Sequence, residues 1–137
     1  SVQCVVADAL HPPLASLDGV LLDAPCSGTG TLARHPDARW RLSPDDIGRF
    51  ALLQERMLNA AAAVVRRGGW LVYSTCTLEP EENGDRIDQF LNRHRGFRME
   101  ATDVVPGGWL DGSGRLAVTP VVGGHDGAFA ARMRRIG

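Results

Sequence analysis

Apolar residues recur in two distinct ways along the 137-residue chain. Val2 to Ala7 is a short, nearly continuous apolar run ending in Asp8. Val20 to Leu22 repeats it and ends in Asp23, and Trp70 to Tyr73 does so a third time, leading into Ser74-Thr75-Cys76. Short runs without alternation predict strands buried on both faces, hence a parallel sheet with helices on each side. Helical spacing begins after Ser43-Pro44-Asp45-Asp46, which combines a Ser N-cap, Pro at the first helical position and acids in the first turn. It continues through Ile47, Phe50, Leu53, Met57, Leu58 and Ala61. The end is expected near Gly68-Gly69, after Arg66-Arg67. A second helix is expected from about Pro80-Glu81-Glu82, carrying Ile87, Phe90 and Leu91 and ending near Arg95-Gly96. Phe97 to Ala101 and Ala128 to Arg134 read as further strands, separated by a Gly- and Pro-rich loop that a short apolar piece, Leu116-Ala117-Val118, interrupts. Neither an internal repeat nor an interdomain linker breaks the pattern, so residues 1–137 are expected to form a single domain of the α/β class. In open α/β sheets, ligands bind at the C-terminal ends of the strands. Asp8, Asp23 and Cys76 are all expected at that edge, converging on one crevice. A complete doubly wound sheet would need two or more strands before Val2, so the chain reads as part of a larger domain.

Composition changes this picture little. Hydrophobic content of 44% and charged content of 23% are ordinary for a soluble globular protein. No apolar run is long enough to span a bilayer, and no secretory signal is visible at the start, so a cytoplasmic protein without a membrane partner is expected. The net charge of −1 does not announce a nucleic-acid partner. All 15 basic residues are Arg, which suits bidentate phosphate binding, although a compositional bias accounts for the missing Lys as well. Cys4, Cys26 and Cys76 are odd in number and widely spaced, so they define neither a disulfide framework nor a metal site.

Two constellations carry candidate chemistry. Asp23-Ala24-Pro25-Cys26-Ser27-Gly28-Thr29-Gly30 follows a predicted strand directly, and Pro25 and the glycines turn the chain sharply. It lacks the Gly-Lys-Ser/Thr ending of a phosphate-binding P-loop. Read on its own, it is either a purely structural turn with a buried Cys or a crevice floor holding Asp23 and Cys26. The second constellation is Ser74-Thr75-Cys76-Thr77-Leu78-Glu79-Pro80-Glu81-Glu82-Asn83. Here Cys76 stands where a strand hands over to a helix, whose amides would stabilise a thiolate. Glu79, Glu81 and Glu82 would oppose that unless they point away. Arg34, His35, Arg39, Trp40 and Arg41 form a basic loop with one aromatic, suited either to tracking an RNA backbone or simply to solvation.

Taken together, Asp23-Ala-Pro-Cys26-Ser-Gly-Thr-Gly30, Arg34-His35-Pro36-Asp37 with Trp40, Ser74-Thr75-Cys76 with Pro80-Glu81-Glu82-Asn83, and His125-Asp126-Gly127-Ala128-Phe129 resemble the RNA cytosine-5 methyltransferases of the Sun/Fmu/RsmB and NSUN type. The family more usually has Phe at the position of Ala128. The resemblance covers nearly the whole chain and implies the C-terminal part of a Rossmann-like, S-adenosylmethionine-dependent methyltransferase sheet, mostly parallel with an antiparallel edge strand. It implies Cys76 as the nucleophile that adds to C6 of cytosine and Cys26 as the thiol that assists product release. Asp23 would face both the cytosine and the methyl donor, and Asp8 would contact S-adenosylmethionine. Arg34, His35 and Arg39 are the candidate RNA contacts, the RNA being ribosomal or, alternatively, transfer RNA, with no metal. The family's glycine-rich cofactor loop has no counterpart in these residues, so the chain alone is expected to bind cofactor weakly and to be inactive. The competing readings are an amino-methyltransferase, a non-catalytic RNA-binding or assembly module on the same fold, and a Cys26–Cys76 redox pair.

Overall fold

A computed structural model describes residues 2–120 and 124–137. Five strands form one sheet: β1 (Leu17–Asp23), β2 (Val65–Thr75), β3 (Phe97–Met99), β4 (Leu116–Val118) and β5 (Ala128–Arg135). The path is β1-β2-β5-β3, with β4 also on β5. β1 and β2 are parallel, and β5 is antiparallel to β2, β3 and β4. Four strands therefore share one direction and β5 opposes them. It is not itself the outermost strand: β3 pairs with the Met133–Arg135 end and β4 with the Ala128–Ala130 end.

α1 (Pro44–Val64) begins where the cap signal predicted. The Ser43 amide and hydroxyl both donate to Asp46 Oδ2, at 2.8 and 2.7 Å. It ends earlier than expected. Val65 already has extended backbone, at φ −75° and ψ 127°, and the chain enters β2 without a connecting turn. Gly68 and Gly69 lie inside β2, in the irregular stretch where the register jumps from Leu17↔Val65 to Gly19↔Trp70. Gly68 takes φ +76°, a conformation open to Gly at little cost.

The second predicted helix starts later than its sequence signal. Pro80–Glu82 is a 3-10 turn, and α2 spans Gly84–Arg93. Between them Asn83 leaves helical geometry, at φ −114° and ψ −105°. Its side chain accepts from Thr75 Oγ1 (2.5 Å) and donates to the Thr77 carbonyl (2.9 Å).

The core lies on one face of the sheet. Leu71 and Tyr73 of β2 and Phe129, Ala131 and Met133 of β5 alternate inward to meet Leu58, Ala61 and Ala62 of α1 and Ile87 and Phe90 of α2. Helices on both faces were expected; here both long helices share one. The opposite face, with Trp70, Val72 and Arg132, is only half buried.

The predicted strand Val2–Ala7 does not form. It has no ladder partner among the described residues, and Val2, Val5 and Val6 are exposed. Unpaired backbone with exposed apolar side chains has nothing to hold it as a strand. No helix among the described residues is long and apolar enough to cross a membrane.

Candidate active site

The site is built where β1 and β2 end. Parallel pairing sets Asp23 beside Ser74, whose hydroxyl donates to Asp23 Oδ1 at 2.8 Å. The ladder continues one step as Ala24 N donates to Ser74 O (2.9 Å). The chain then turns through Pro25 and brings Cys26 Sγ to 3.5 Å from Cys76 Sγ. Gly30 closes the turn: its amide donates to Cys76 O (3.0 Å), and its carbonyl accepts from Gly127 N (2.8 Å). A Cβ on Gly30 would lie 2.7 Å from both the Cys76 and Gly127 carbonyl oxygens, so a residue without a side chain is required there. The ends of β1 and β2 and the start of β5 are thus tied at one point.

The two thiols differ in environment. Cys76 is exposed and Cys26 half buried. Burial pushes the Cys26 thiol up to about 12; the Cys76 and Gly28 amides oppose this, and the neighbouring Cys76 thiol adds to it. Desolvation of the charged form outweighs the amide dipoles, so Cys26 stays protonated near neutral pH. The expected placement of Cys76 at a helix N-terminus is corrected here. Three residues and a 3-10 turn intervene between Cys76 and α2, so Cys76 does not stand at that helix's N-terminus.

Beneath the thiols is a buried polar cluster that the sequence did not reveal as functional. Glu82 points inward and is fully buried. Its carboxylate accepts from the Ser27 amide (3.0 Å), the Ser27 hydroxyl, Gln54 Nε2 (2.7 Å) and Thr77 Oγ1 (3.2 Å). Gln54 Nε2 also donates to Pro25 O (2.9 Å). Gln54 carried a signal that could have found it: it is a polar residue inside the apolar stripe of Phe50, Leu58 and Ala61.

The remaining predicted site residues are less closely joined. Asp8 is exposed and makes local bonds to Leu10 N (2.9 Å) and His11 Nδ1 (3.0 Å), which hold its carboxyl below the usual range. Its segment is no strand, so the described contacts do not bring it to Asp23 and the thiols. Arg34 is exposed and ion-paired with Asp126. His35, Arg39 and Trp40 lie in and beside the exposed 3-10 turn Pro36–Trp40. No group of three or more His, Cys, Asp or Glu side chains among the described residues is placed to hold a metal ion.

In sequence and fold the chain is similar to methyltransferases. The family model described as 16S rRNA methyltransferase RsmB/F matches residues 1–134. Ribosomal RNA small subunit methyltransferase B of Thermus thermophilus is 46% identical over 94% of the chain, and the probable enzyme of that name from Synechocystis 44% over 92%. The chain spans 32% and 29% of their respective lengths. NSun6 from Pyrococcus horikoshii, solved with the S-adenosylmethionine analogue SFG, superposes with a TM-score of 0.84 at 33% identity, over 97% of this chain and 34% of that one. Sequence and fold together place the chain in the Rossmann-like methyltransferase class. The chain belongs to the 16S rRNA methyltransferase RsmB/F family.

Proposed function

We propose that this chain, within its natural polypeptide, supplies the reactive thiols of an S-adenosylmethionine-dependent methyltransferase acting on C5 of cytosine in RNA, with ribosomal RNA the favoured substrate. The observation that carries the reading is the 3.5 Å approach of Cys26 Sγ to Cys76 Sγ at the strand edge that also holds Asp23.

C5 of cytosine is a poor nucleophile, and a thiolate adding at C6 makes it enamine-like. Cys76 is exposed, so a base unstacked from its RNA can reach it. Its sulfur forms the bond to C6 while the C5–C6 π electrons move into the ring towards N3. Asp23 stands beside the thiols with Oδ1 held by Ser74, leaving Oδ2 open to the base edge or the methyl donor. Bound S-adenosylmethionine supplies the methyl group that C5 takes up. Afterwards the C5 proton passes to a base, the S–C6 bond breaks and the C5=C6 double bond returns. Cys26, kept protonated by burial, hydrogen-bonds the departing Cys76 sulfur through its S–H without giving the proton up, which assists release. Asp23 fits a cofactor-facing role because it is exposed at the carboxyl edge. Asp8 is a carboxylate open to a ligand, and its place beside Asp23 would come from chain outside the described contacts. Arg34, His35 and Arg39 would meet RNA on the loop leading away from Cys26, Arg34 exchanging Asp126 for a phosphate.

The test is covalent trapping in the natural polypeptide. Cys26→Ala is expected to accumulate an RNA–protein adduct that survives a denaturing gel, and Cys26→Ala with Cys76→Ala to give none. Absence of any adduct with cytosine-containing RNA, or full cellular function of Cys76→Ala, would overturn the reading; the latter would favour an assembly role.

A further inference from the structure

We infer that Glu82 is a positioning residue for Cys26: its buried carboxylate sets the loop that holds one thiol against the other. The inference rests on the thiol reading above for its catalytic consequence, and on geometry alone for its structural content. Glu82 lies in the 3-10 turn after β2 and is fully buried. An isolated carboxylate there would be costly, and burial is tolerated only with several donors. Those donors come from three separate parts of the chain. Ser27 contributes its amide (3.0 Å) and hydroxyl, Gln54 of α1 its amide nitrogen (2.7 Å), and Thr77 its hydroxyl (3.2 Å).

Two details make the cluster a device for Cys26 rather than a general staple. Ser27 follows Cys26 and is held by Glu82 directly. Pro25 precedes it, and its carbonyl accepts from the same Gln54 nitrogen that donates to Glu82. The backbone is therefore gripped on both sides of the thiol. Glu82 is itself immobilised, since Tyr73 OH donates to its carbonyl at 2.6 Å and Asn83 is tied to Thr75 and Thr77. The hydroxyl chain is also directional. Leu78 N donates to Thr29 Oγ1 (2.9 Å), which leaves the Thr29 proton for Thr77 Oγ1 (3.0 Å), the Thr77 proton to be shared between Ser27 Oγ (2.7 Å) and the carboxylate (3.2 Å), and the Ser27 proton for the carboxylate. A glutamine at position 82 keeps one acceptor oxygen and puts an N–H₂ group where the other oxygen meets two donors, so the grip on one side of Cys26 would loosen with little change in volume.

The experiment measures thiol proximity first. In this chain carrying Cys4→Ser, diamide takes up the two thiol hydrogens and leaves a Cys26–Cys76 disulfide, quantified by peptide mass mapping. Glu82→Gln is expected to slow that reaction about tenfold and Ser27→Ala, which keeps the backbone donor, by a smaller factor. A folded Glu82→Gln protein that cross-links at the parent rate would overturn the inference; if Glu82→Gln does not fold, an unchanged rate in Ser27→Ala would do so. In the natural polypeptide, Glu82→Gln with both cysteines intact is expected to accumulate the RNA adduct, as Cys26→Ala does, with kcat falling more than KM rises. Adduct in Cys26→Ala but free turnover in Glu82→Gln would refute the positioning role. No adduct in Cys26→Ala would instead refute the release role of Cys26, and the cross-linking rate would still decide for Glu82.

Discussion

Cys26 and Cys76 carry the same functional group in different surroundings, and the difference is made by solvent. The buried thiol keeps its proton up to about 12, well above the ordinary value of 9.0, while Cys76 stays open to an incoming base. This has a stability consequence whose sign is definite. Between about 9 and 12 the unfolded chain has lost the Cys26 proton and the folded chain has not, so the unfolded state binds fewer protons and stability falls as pH rises. Tyr73, raised mainly by burial, adds in the same direction. Urea denaturation at pH 8, 9 and 10 is expected to show a steeper loss for the parent than for Cys26→Ala; equal slopes would contradict the assignment. At this scale the meeting of Asp23, Cys26 and Cys76 at the strand ends was legible because their short motifs directly follow the apolar runs that become β1 and β2. Glu82 was not. As a free acid beside a thiol it reads as a liability, and only the fold reveals the donors from Ser27, Gln54 and Thr77 that occupy its oxygens.

Elements were legible where the signal was local. Ser43, Pro44 and Asp46 are sufficient to start α1, and the Ser43 hydroxyl bond to Asp46 at 2.7 Å is the device itself. Ser43→Ala is expected to cost about 1 kcal/mol of stability, read as a lower urea midpoint at unchanged m-value. No change in midpoint would mean that the bond from the Ser43 amide (2.8 Å) is enough on its own. The end of α1 was misplaced because Gly68-Gly69 reads as a helix stop, whereas the chain turns extended already at β-branched Val65 and the glycines serve the irregularity in β2. Leu116–Val118 was seen as an apolar interruption of a loop. It becomes β4 only because the Ala128–Ala130 end of β5 offers a free edge, and that is a tertiary fact.

The whole molecule is one-sided. Both long helices cover the face bearing Leu71, Tyr73 and Met133. On the other, Val72, Leu110, Leu116, Ala130 and Arg132 line an open cavity of about 260 Å³, and Leu21 on β1 is 66% exposed. An α/β sheet buries both faces when complete, and Val2–Ala7 has no strand beside it to join. The shared direction of β1 and β2 and the common carboxyl edge where they end were readable from the sequence. The bare second face was not, because strands meant for two covered faces look the same in sequence whether or not both covers are supplied. The chain on its own is expected to show no methyl transfer to RNA in a radiolabelled S-adenosylmethionine assay. Turnover by these 137 residues alone would show that the second cover is dispensable.

The ties around the thiols join distant parts of the chain. Cys26 and Cys76 are 50 residues apart in sequence, and Ser27 and Glu82 are 55. α1 can begin from contacts three residues apart at its cap, but these ties require the whole intervening segment to close first, at an entropic cost that local helix formation does not meet. β1 and β2 pair across nearly the same separation, Asp23 beside Ser74, so the thiols can meet only where those two strands have met. Their proximity is in effect the chain's own record that this parallel pair has formed in register.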